Sequence, residues 1–90
     1  MSVVRIPTVL RPQVGGEKQL ELDGGTVAQL VDSLVERFPA LRSQLLTDGG
    51  ELNRFVNVYV NGQDVRYLQG LATPVEPRDE VRLLPAMAGG

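Results

Sequence analysis

The residues with the clearest capacity for chemistry stand at the C-terminal end of the chain. Residues 85–90 read Pro-Ala-Met-Ala-Gly-Gly, carry no charged side chain and follow the apolar run Val-Arg-Leu-Leu. Because proline has no backbone N–H, Pro85 is expected to end any strand pairing. These residues, here called the tail, can extend about 20 Å from the last strand at roughly 3.3 Å per residue. The tail ends at the α-carboxylate of Gly90, which is ionised at neutral pH.

A free carboxylate behind a Gly-Gly pair is suited to activation inside the active site of another protein, by attack on the α-phosphorus of ATP. Gly89 and Gly90 have no Cβ, so they can pass through a narrow channel and adopt backbone angles closed to other residues. We therefore interpret Gly90 as the reacting residue and Met87, Ala88 and Gly89 as the residues that thread the partner's site. Because flexible segments often contain glycine pairs, this interpretation depends on the body that precedes the tail.

The composition argues against an autonomous enzyme. The 90 residues contain no cysteine and no histidine, which excludes disulfides, thiol nucleophiles, histidine-based triads and zinc sites with nitrogen or sulfur ligands. No EF-hand loop, Walker loop or dinucleotide fingerprint occurs, and we predict no metal site. The chain is therefore expected to serve other enzymes rather than to be one.

The charge balance argues against nucleic acid and membranes as partners. The chain has 9 Lys and Arg residues and 11 Asp and Glu residues, a net charge of −2, with no basic block. The apolar run near the N-terminus is too short for a signal peptide or a membrane span. We expect a cytoplasmic protein.

Alternation of apolar residues predicts five strands. β-branched residues predict the first strand over residues 3–10, with Pro7 at a bend. The other strands are predicted at residues 17–22, 55–60, 63–67 and 81–84. Asn61-Gly62 predicts a tight hairpin turn between the third and fourth strands. The residues expected to face the core from these strands are Val4, Ile6, Leu10, Leu20, Leu22, Val56, Val58, Val60, Val81 and Leu83.

One main helix lies between the two predicted hairpins. Thr26 and Gln29 have the spacing of a capping box, and Pro39 ends the helix near Arg37. Its apolar stripe consists of Val27, Leu30, Val31, Leu34, Val35 and Phe38. A short second helix is expected over residues 39–47, with Leu41, Leu45 and Leu46 packed inward.

Two hairpins that flank one helix predict an α+β fold of the β-grasp (ubiquitin-like) type. A right-handed crossover places the main helix on one face of a mixed sheet. We divide the chain into a β-grasp domain, residues 1–84, and a flexible extended tail, residues 85–90.

With this body in front of it, the Gly-Gly tail resembles that of the ubiquitin-like sulfur-carrier family. The family includes the molybdopterin synthase small subunit, the thiazole-synthesis sulfur carrier and the carrier of actinobacterial cysteine synthesis. The resemblance covers essentially the whole chain and is strongest to the cysteine-synthesis carrier. The stretches that carry it are residues 5–12, 54–61, 64–66, 70–73 and 84–90.

The resemblance implies a cycle in which partner enzymes do the catalysis. An E1-like adenylating enzyme would use Mg-ATP to activate Gly90, and sulfur transfer would leave a C-terminal thiocarboxylate. A cysteine synthase that uses pyridoxal phosphate and O-phosphoserine would accept the sulfur. A zinc metalloprotease would then release cysteine from Gly90. The carrier itself is expected to bind no cofactor.

Partners are also expected to contact the body of the carrier. Phe55 and Tyr59 lie opposite the valine face of their strand and Leu84 leads into the tail, so these three residues form a candidate partner patch. Scattered apolar surface residues are the alternative interpretation. Pairing with acidic partner residues is open for three arginines, although a solvated charged face is favoured: Arg66, Arg78 and Arg82.

Three other functions stay open. The first is the same carrier chemistry with molybdopterin or thiamin thiazole synthesis as the acceptor pathway. The second is a ubiquitin-like interaction module whose tail is never activated. The third, an enzyme that uses carboxylates such as Asp79 and Glu80, is disfavoured because the sequence shows no convergent site.

Overall fold

The computed structural model describes residues 1–85, which form a mixed five-stranded sheet with helices packed on one face. The elements in chain order are β1 (Ser2–Arg5), β2 (Gln19–Leu22), α1 (Val27–Arg37), α2 (Arg42–Leu45), β3 (Val56–Val60), β4 (Gln63–Asp64) and β5 (Glu80–Pro85). The sheet order is β2-β1-β5-β3-β4. β1 and β5 are parallel, and the other neighbouring strands are antiparallel. None of the helices in this part of the chain has the length and apolar character needed to span a membrane.

The first strand is shorter than predicted. β1 ends at Arg5, and a 3₁₀ helix occupies Thr8–Val14, where the sequence predicted a strand as far as residue 10. The Ile6 N–H still donates to the Lys18 carbonyl at 2.8 Å, but Pro7 has no N–H with which to continue the hairpin. The 3₁₀ helix buries Leu10 and Val14. Leu10 is therefore a core residue as predicted, although it lies in a helical turn rather than in a strand.

α1 begins and ends as predicted. The Thr26 hydroxyl oxygen accepts from the Gln29 N–H at 3.2 Å, and the Gln29 side-chain oxygen accepts from the Gly25 N–H at 2.6 Å. The second bond reaches one residue before the cap, so the capping box is shifted by one position. The last helical residue is Arg37, two residues before Pro39. This cap fixes the point at which the chain leaves β2 and crosses the sheet.

The core lies between α1 and the inner face of the sheet. The buried residues of α1 are Val27, Leu30, Val31 and Leu34. The predicted inward residues of the strands are buried too, except that Leu20 is only partly buried, like Val35 and Phe38 of the helix stripe. Three further core residues come from turns that alternation did not mark: Val14, Val65 and Val75.

The second half of the fold has shorter elements than predicted. The predicted second helix is a 3₁₀ turn at Pro39–Leu41 that runs into α2, and it buries Leu41, Leu45 and Leu46 as expected. β4 contains only two residues, after which the chain forms a 3₁₀ turn at Val65–Tyr67. The Asn61-Gly62 turn is confirmed, with φ of 52° and 85° at its two residues.

Candidate functional site

β5 carries the chain to the place where the tail begins. It lies in the centre of the sheet, paired with β3 up to the Val56–Pro85 pair and with β1 only up to the Arg5–Arg82 pair. Pro85 is therefore a strand residue, and the prediction that pairing ends at Leu84 is wrong by one residue. Beyond Arg82, no strand within residues 1–85 borders the β1 side of β5.

The backbone direction explains why Pro85 is tolerated in a central strand. The Asn61 N–H donates to the Glu80 carbonyl at 2.8 Å, which sets the side on which each residue of β5 forms its bonds. Because these groups alternate along a strand, the backbone of Glu80 and Leu84 faces β3 and that of Pro85 faces the β1 side. β1 has already ended there, so the missing N–H of Pro85 forfeits no sheet hydrogen bond.

The residues predicted to react and to thread a partner's site are Met87, Ala88, Gly89 and Gly90. They lie outside the described residues, as does the predicted flexibility of the tail, and these assignments stay predictions. The structure does describe the surfaces around Pro85, the last residue before them. These surfaces are the outer face of β3 and β5 and the two grooves beside Pro85.

The three residues of the predicted partner patch do not form one surface. Tyr59 and Leu84 line one shallow depression of about 170 Å³ on the outer face of the sheet, because β3 pairs Tyr59 with Arg82, two residues before Leu84. Leu84 is 36% exposed and Tyr59 is half-buried. Phe55 precedes β3 and lies elsewhere, 57% exposed, with the Arg54 guanidinium 5.3 Å from its ring centroid.

Phe55 belongs to an apolar groove of about 360 Å³ beside Pro85. Val9, which is 64% exposed, and Leu10 contribute from the 3₁₀ helix, and Val56 lies at the base of β3. Val9 was not predicted as a site residue, because the predicted first strand included it. No local signal corrects this, because the spacing of four residues between the buried Leu10 and Val14 fits strand alternation as well as a helix.

A second groove opens on the β1 side of β5, with a volume of about 470 Å³. It exists because β1 turns away at Arg5 while β5 continues to Pro85. Its lining includes Pro7, Thr8 and the last three residues of β5. We call it the basic cleft, because four cationic side chains line it: Arg5, Arg11, Lys18 and Arg82.

The carboxylates considered for catalysis have structural roles. Asp79 accepts from the Glu76 N–H at 2.8 Å and from the Asn61 amide at 3.0 Å. These bonds, first the one from the Glu76 backbone and then that from Asn61, hold the pKa of Asp79 below its usual value of 3.8. Glu80 pairs with Arg5 and Arg82. Within residues 1–85 no cluster of three or more acidic side chains is placed to hold a metal ion.

The family follows from comparison with known proteins. Residues 4–90 match the ThiS family. The chain belongs to this family. ThiS-family proteins are ubiquitin-like sulfur carriers, so the resemblance seen in the sequence is confirmed, and so is the expectation of a carrier that acts with enzymes rather than as one.

Individual relatives of this ThiS-family chain are similar over their full length. The sulfur carrier protein CysO of Mycobacterium tuberculosis is 43% identical over 89 residues, which cover 97% of this chain and 96% of that protein. In the crystal structure of the Amycolatopsis orientalis BexX/CysO complex, one chain is 42% identical with a TM-score of 0.90, and all of both chains is covered. The crystal structure of M. tuberculosis CysO has a TM-score of 0.88 at 39% identity, covering 97% of this chain and 100% of that one. These structures confirm the predicted β-grasp fold.

Proposed function

We propose that this chain is a sulfur carrier for cysteine biosynthesis, whose Gly90 carboxylate is converted to a thiocarboxylate. The observation that carries the proposal is the 43% identity to CysO over 97% of the chain. The structure supports it physically, because β5 is held in the centre of the sheet and its last two residues, Leu84 and Pro85, are exposed. A rigid body with a narrow end fits a protein that presents its own terminus to other active sites.

The proposed chemistry has two steps on the carrier. A Gly90 carboxylate oxygen attacks the α-phosphorus of ATP, forming an acyl-adenylate and releasing pyrophosphate. A sulfide equivalent then attacks the carbonyl carbon, and AMP leaves with the carboxylate oxygen. The product is a thiocarboxylate, whose ionised sulfur is the nucleophile for the acceptor. The chain supplies the reacting carbonyl and its position, and the partner enzymes supply the catalysis.

Three partner classes follow from this proposal. An E1-like enzyme activates Gly90, using Mg-ATP. A cysteine synthase that uses pyridoxal phosphate and O-phosphoserine accepts the sulfur, and an S-to-N acyl shift leaves cysteine in an amide bond to Gly90. A zinc metalloprotease hydrolyses that amide and regenerates the carrier. The BexX/CysO complex shows that a related CysO assembles with another protein.

The test is alkylation of the carrier after incubation with host lysate, ATP, magnesium and sulfide. The chain contains no cysteine, so iodoacetamide at neutral pH has no side-chain thiol to modify. We expect one alkyl group per chain by intact mass, located at Gly90 by fragmentation and dependent on ATP. The matched control carries one alanine after Gly90, which removes the free glycine carboxylate and is expected to abolish the alkyl group.

The same reaction distinguishes the acceptor pathways. When O-phosphoserine is added, we expect a carrier with cysteine attached at Gly90, detected by its mass. A thiocarboxylate without any cysteine adduct would contradict the cysteine pathway and favour molybdopterin or thiazole synthesis. If the lysate never forms a thiocarboxylate, the proposed activation of Gly90 is wrong, and an interaction module whose tail is never activated is favoured.

A further inference from the structure

We propose that the basic cleft docks an acidic peptide segment of the protein that receives the tail. The inference rests on the proposed function, because it supposes such a receiving protein. The cleft borders the last residues of β5, so a segment bound there lies beside the point from which the tail continues. Docking in the cleft would orient the body relative to the partner while the tail enters its active site.

The charge of the cleft is a local concentration rather than a property of the whole chain. Four of the 9 cationic residues line it, although the chain has a net charge of −2. Within residues 1–85, Glu80 is the carboxylate paired with these cations, at 3.5 Å from Arg5 and 3.3 Å from Arg82. Since one carboxylate serves two arginines, the cleft keeps an excess of positive charge that an acidic ligand can neutralise.

The Arg11 side chain is held in place without being neutralised, whereas at Lys18 only the backbone is fixed. The Arg11 Nε donates to the Ile6 carbonyl at 3.1 Å, and no hydrogen bond within residues 1–85 occupies the Nη groups of Arg11. The Lys18 carbonyl accepts from the Ile6 N–H, which fixes the backbone beside the exposed ammonium group. Side chains positioned in advance lose less entropy when they bind a ligand.

The shape of the cleft favours a peptide over a small anion. It is an open groove of about 470 Å³, and its cations come from four separate segments: β1, the 3₁₀ helix after it, the approach to β2, and β5. A single phosphate is bound best where donors converge on one point. Charges spread along a groove match several carboxylates on an extended chain, and Pro7 and Leu84 provide apolar surface between them.

The first test is an NMR titration of the ¹⁵N-labelled full chain with hexaglutamate. At low salt we expect amide shifts to concentrate at residues 5–11, 18 and 82–84, and to disappear at high salt because these charges are exposed. The double variant Lys18→Gln/Arg82→Gln should weaken binding about fivefold, as expected for two lost surface ion pairs. The matched control Arg37→Gln/Arg42→Gln removes the same charge outside the cleft and should bind like wild type.

The second test asks whether the same charges matter for a real partner. In the lysate reaction, K18Q/R82Q should form the thiocarboxylate or the cysteine adduct at least about threefold more slowly, while the control variant reacts at the wild-type rate. A folded double variant that reacts at the wild-type rate in both steps would overturn the proposal. So would shifts spread equally over Arg37, Arg42 and Arg54, or identical shifts with inorganic phosphate.

These outcomes are separable from the carrier proposal. Hexaglutamate binding needs no activated terminus, so it can fail while the wild-type chain still forms a thiocarboxylate. Conversely, a wild-type chain that is never activated would contradict the proposed function whatever the cleft binds.

Discussion

Arg66 fixes the segment that leads into β3. Its guanidinium donates to the Asn57 side chain, to the Asn53 carbonyl at 3.1 Å and to the Val56 carbonyl at 2.8 Å. The sequence favoured a solvated surface charge for this arginine, because the three acceptors of its guanidinium are 9 to 13 positions away and no local pattern marks them. Arg66 therefore helps to hold the body together, although its side chain stays partly exposed.

Replacing Arg66 by lysine is expected to destabilise the protein. A single ammonium group lacks the planar fork that reaches three acceptors in different directions. We expect Arg66→Lys to lower the free energy of unfolding by about 1 kcal/mol, measured by urea denaturation. Arg37→Lys, at the exposed end of α1, is the control and should leave the midpoint unchanged. Equal midpoints for both variants would show that the Arg66 contacts contribute nothing.

Asp79 makes the stability depend on pH. Folding lowers its pKa through the Glu76 N–H and the Asn61 side chain, so the ionised form is favoured in the folded state. Its contribution is present above the unfolded pKa and is lost as the pH falls through the lower folded pKa. For Asp79→Asn, the stability difference from wild type should be constant between about pH 7 and pH 5 and shrink at lower pH.

Urea titrations at each pH measure this difference. Asp48→Asn serves as the control, since the Asp48 side chain takes part in none of the hydrogen bonds formed within residues 1–85. A difference for Asp79→Asn that grows towards acid pH would have the wrong sign and would contradict the assignment.

At the scale of elements, the turn between β2 and α1 depends on a close approach. A Cβ at Gly24 would lie 2.9 Å from the Leu30 backbone nitrogen and 2.9 Å from the Gln29 Cβ, both part of the rigid helix. At Gly25 the nearest atom is the end of the Gln29 side chain, at 3.5 Å. Of these two positions, only Gly24 requires glycine, because there is no space for a Cβ there.

Gly24→Ala is therefore expected to cost about 1–3 kcal/mol of stability, because the helix must shift to accept the methyl group. Gly25→Ala, one residue along, is the matched control and should be close to neutral. Thermal unfolding followed by circular dichroism measures both. If the two variants unfold at the same temperature, the approach of Gly24 to α1 is not a constraint.

The elements predicted correctly are those whose residues carry their own periodic signal. The stripe of α1 and the alternation of β3 are each continuous, so local patterning was sufficient to place them. The first strand was predicted too long because β-branched residues do not show where hydrogen-bonding partners end; Pro7 and the loss of pairing after Arg5 decide that. β5 was predicted too short because the sequence does not show which way the backbone of Pro85 faces. That direction depends on the register with β3, and it decides whether the missing N–H costs a hydrogen bond.

At the scale of the whole molecule, stability and function are expected to depend on different parts of the chain. Among the described residues, 1–85, the buried hydrophobic core runs from residue 4 to residue 83. A chain truncated after Pro85 should therefore unfold at the wild-type temperature within error, while it forms no thiocarboxylate in the lysate reaction. Loss of stability comparable to that of a core substitution, about 2–5 kcal/mol, would contradict this separation.

The site was predictable only in part, because some of its residues come together only in the folded molecule. The glycines of the tail are visible in the sequence because their chemistry is local. The basic cleft is not, because Arg5, Arg11, Lys18 and Arg82 meet only through the β1–β2 hairpin and the parallel pairing of β1 with β5. The split between Phe55 and the Tyr59–Leu84 pair likewise depends on the register of β3 and β5.

The parallel pairing of the first and last strands also determines how the body responds to mechanical force. Ser2 begins β1 and Pro85 ends β5, at opposite ends of two adjacent strands. Tension applied between these residues slides the two strands past each other, so the bonds between them share the load in shear. An antiparallel hairpin such as β3–β4, pulled at its open end, instead breaks its bonds one after another. A partner that pulls on the tail while it holds the body at the start of β1 therefore loads these bonds in shear.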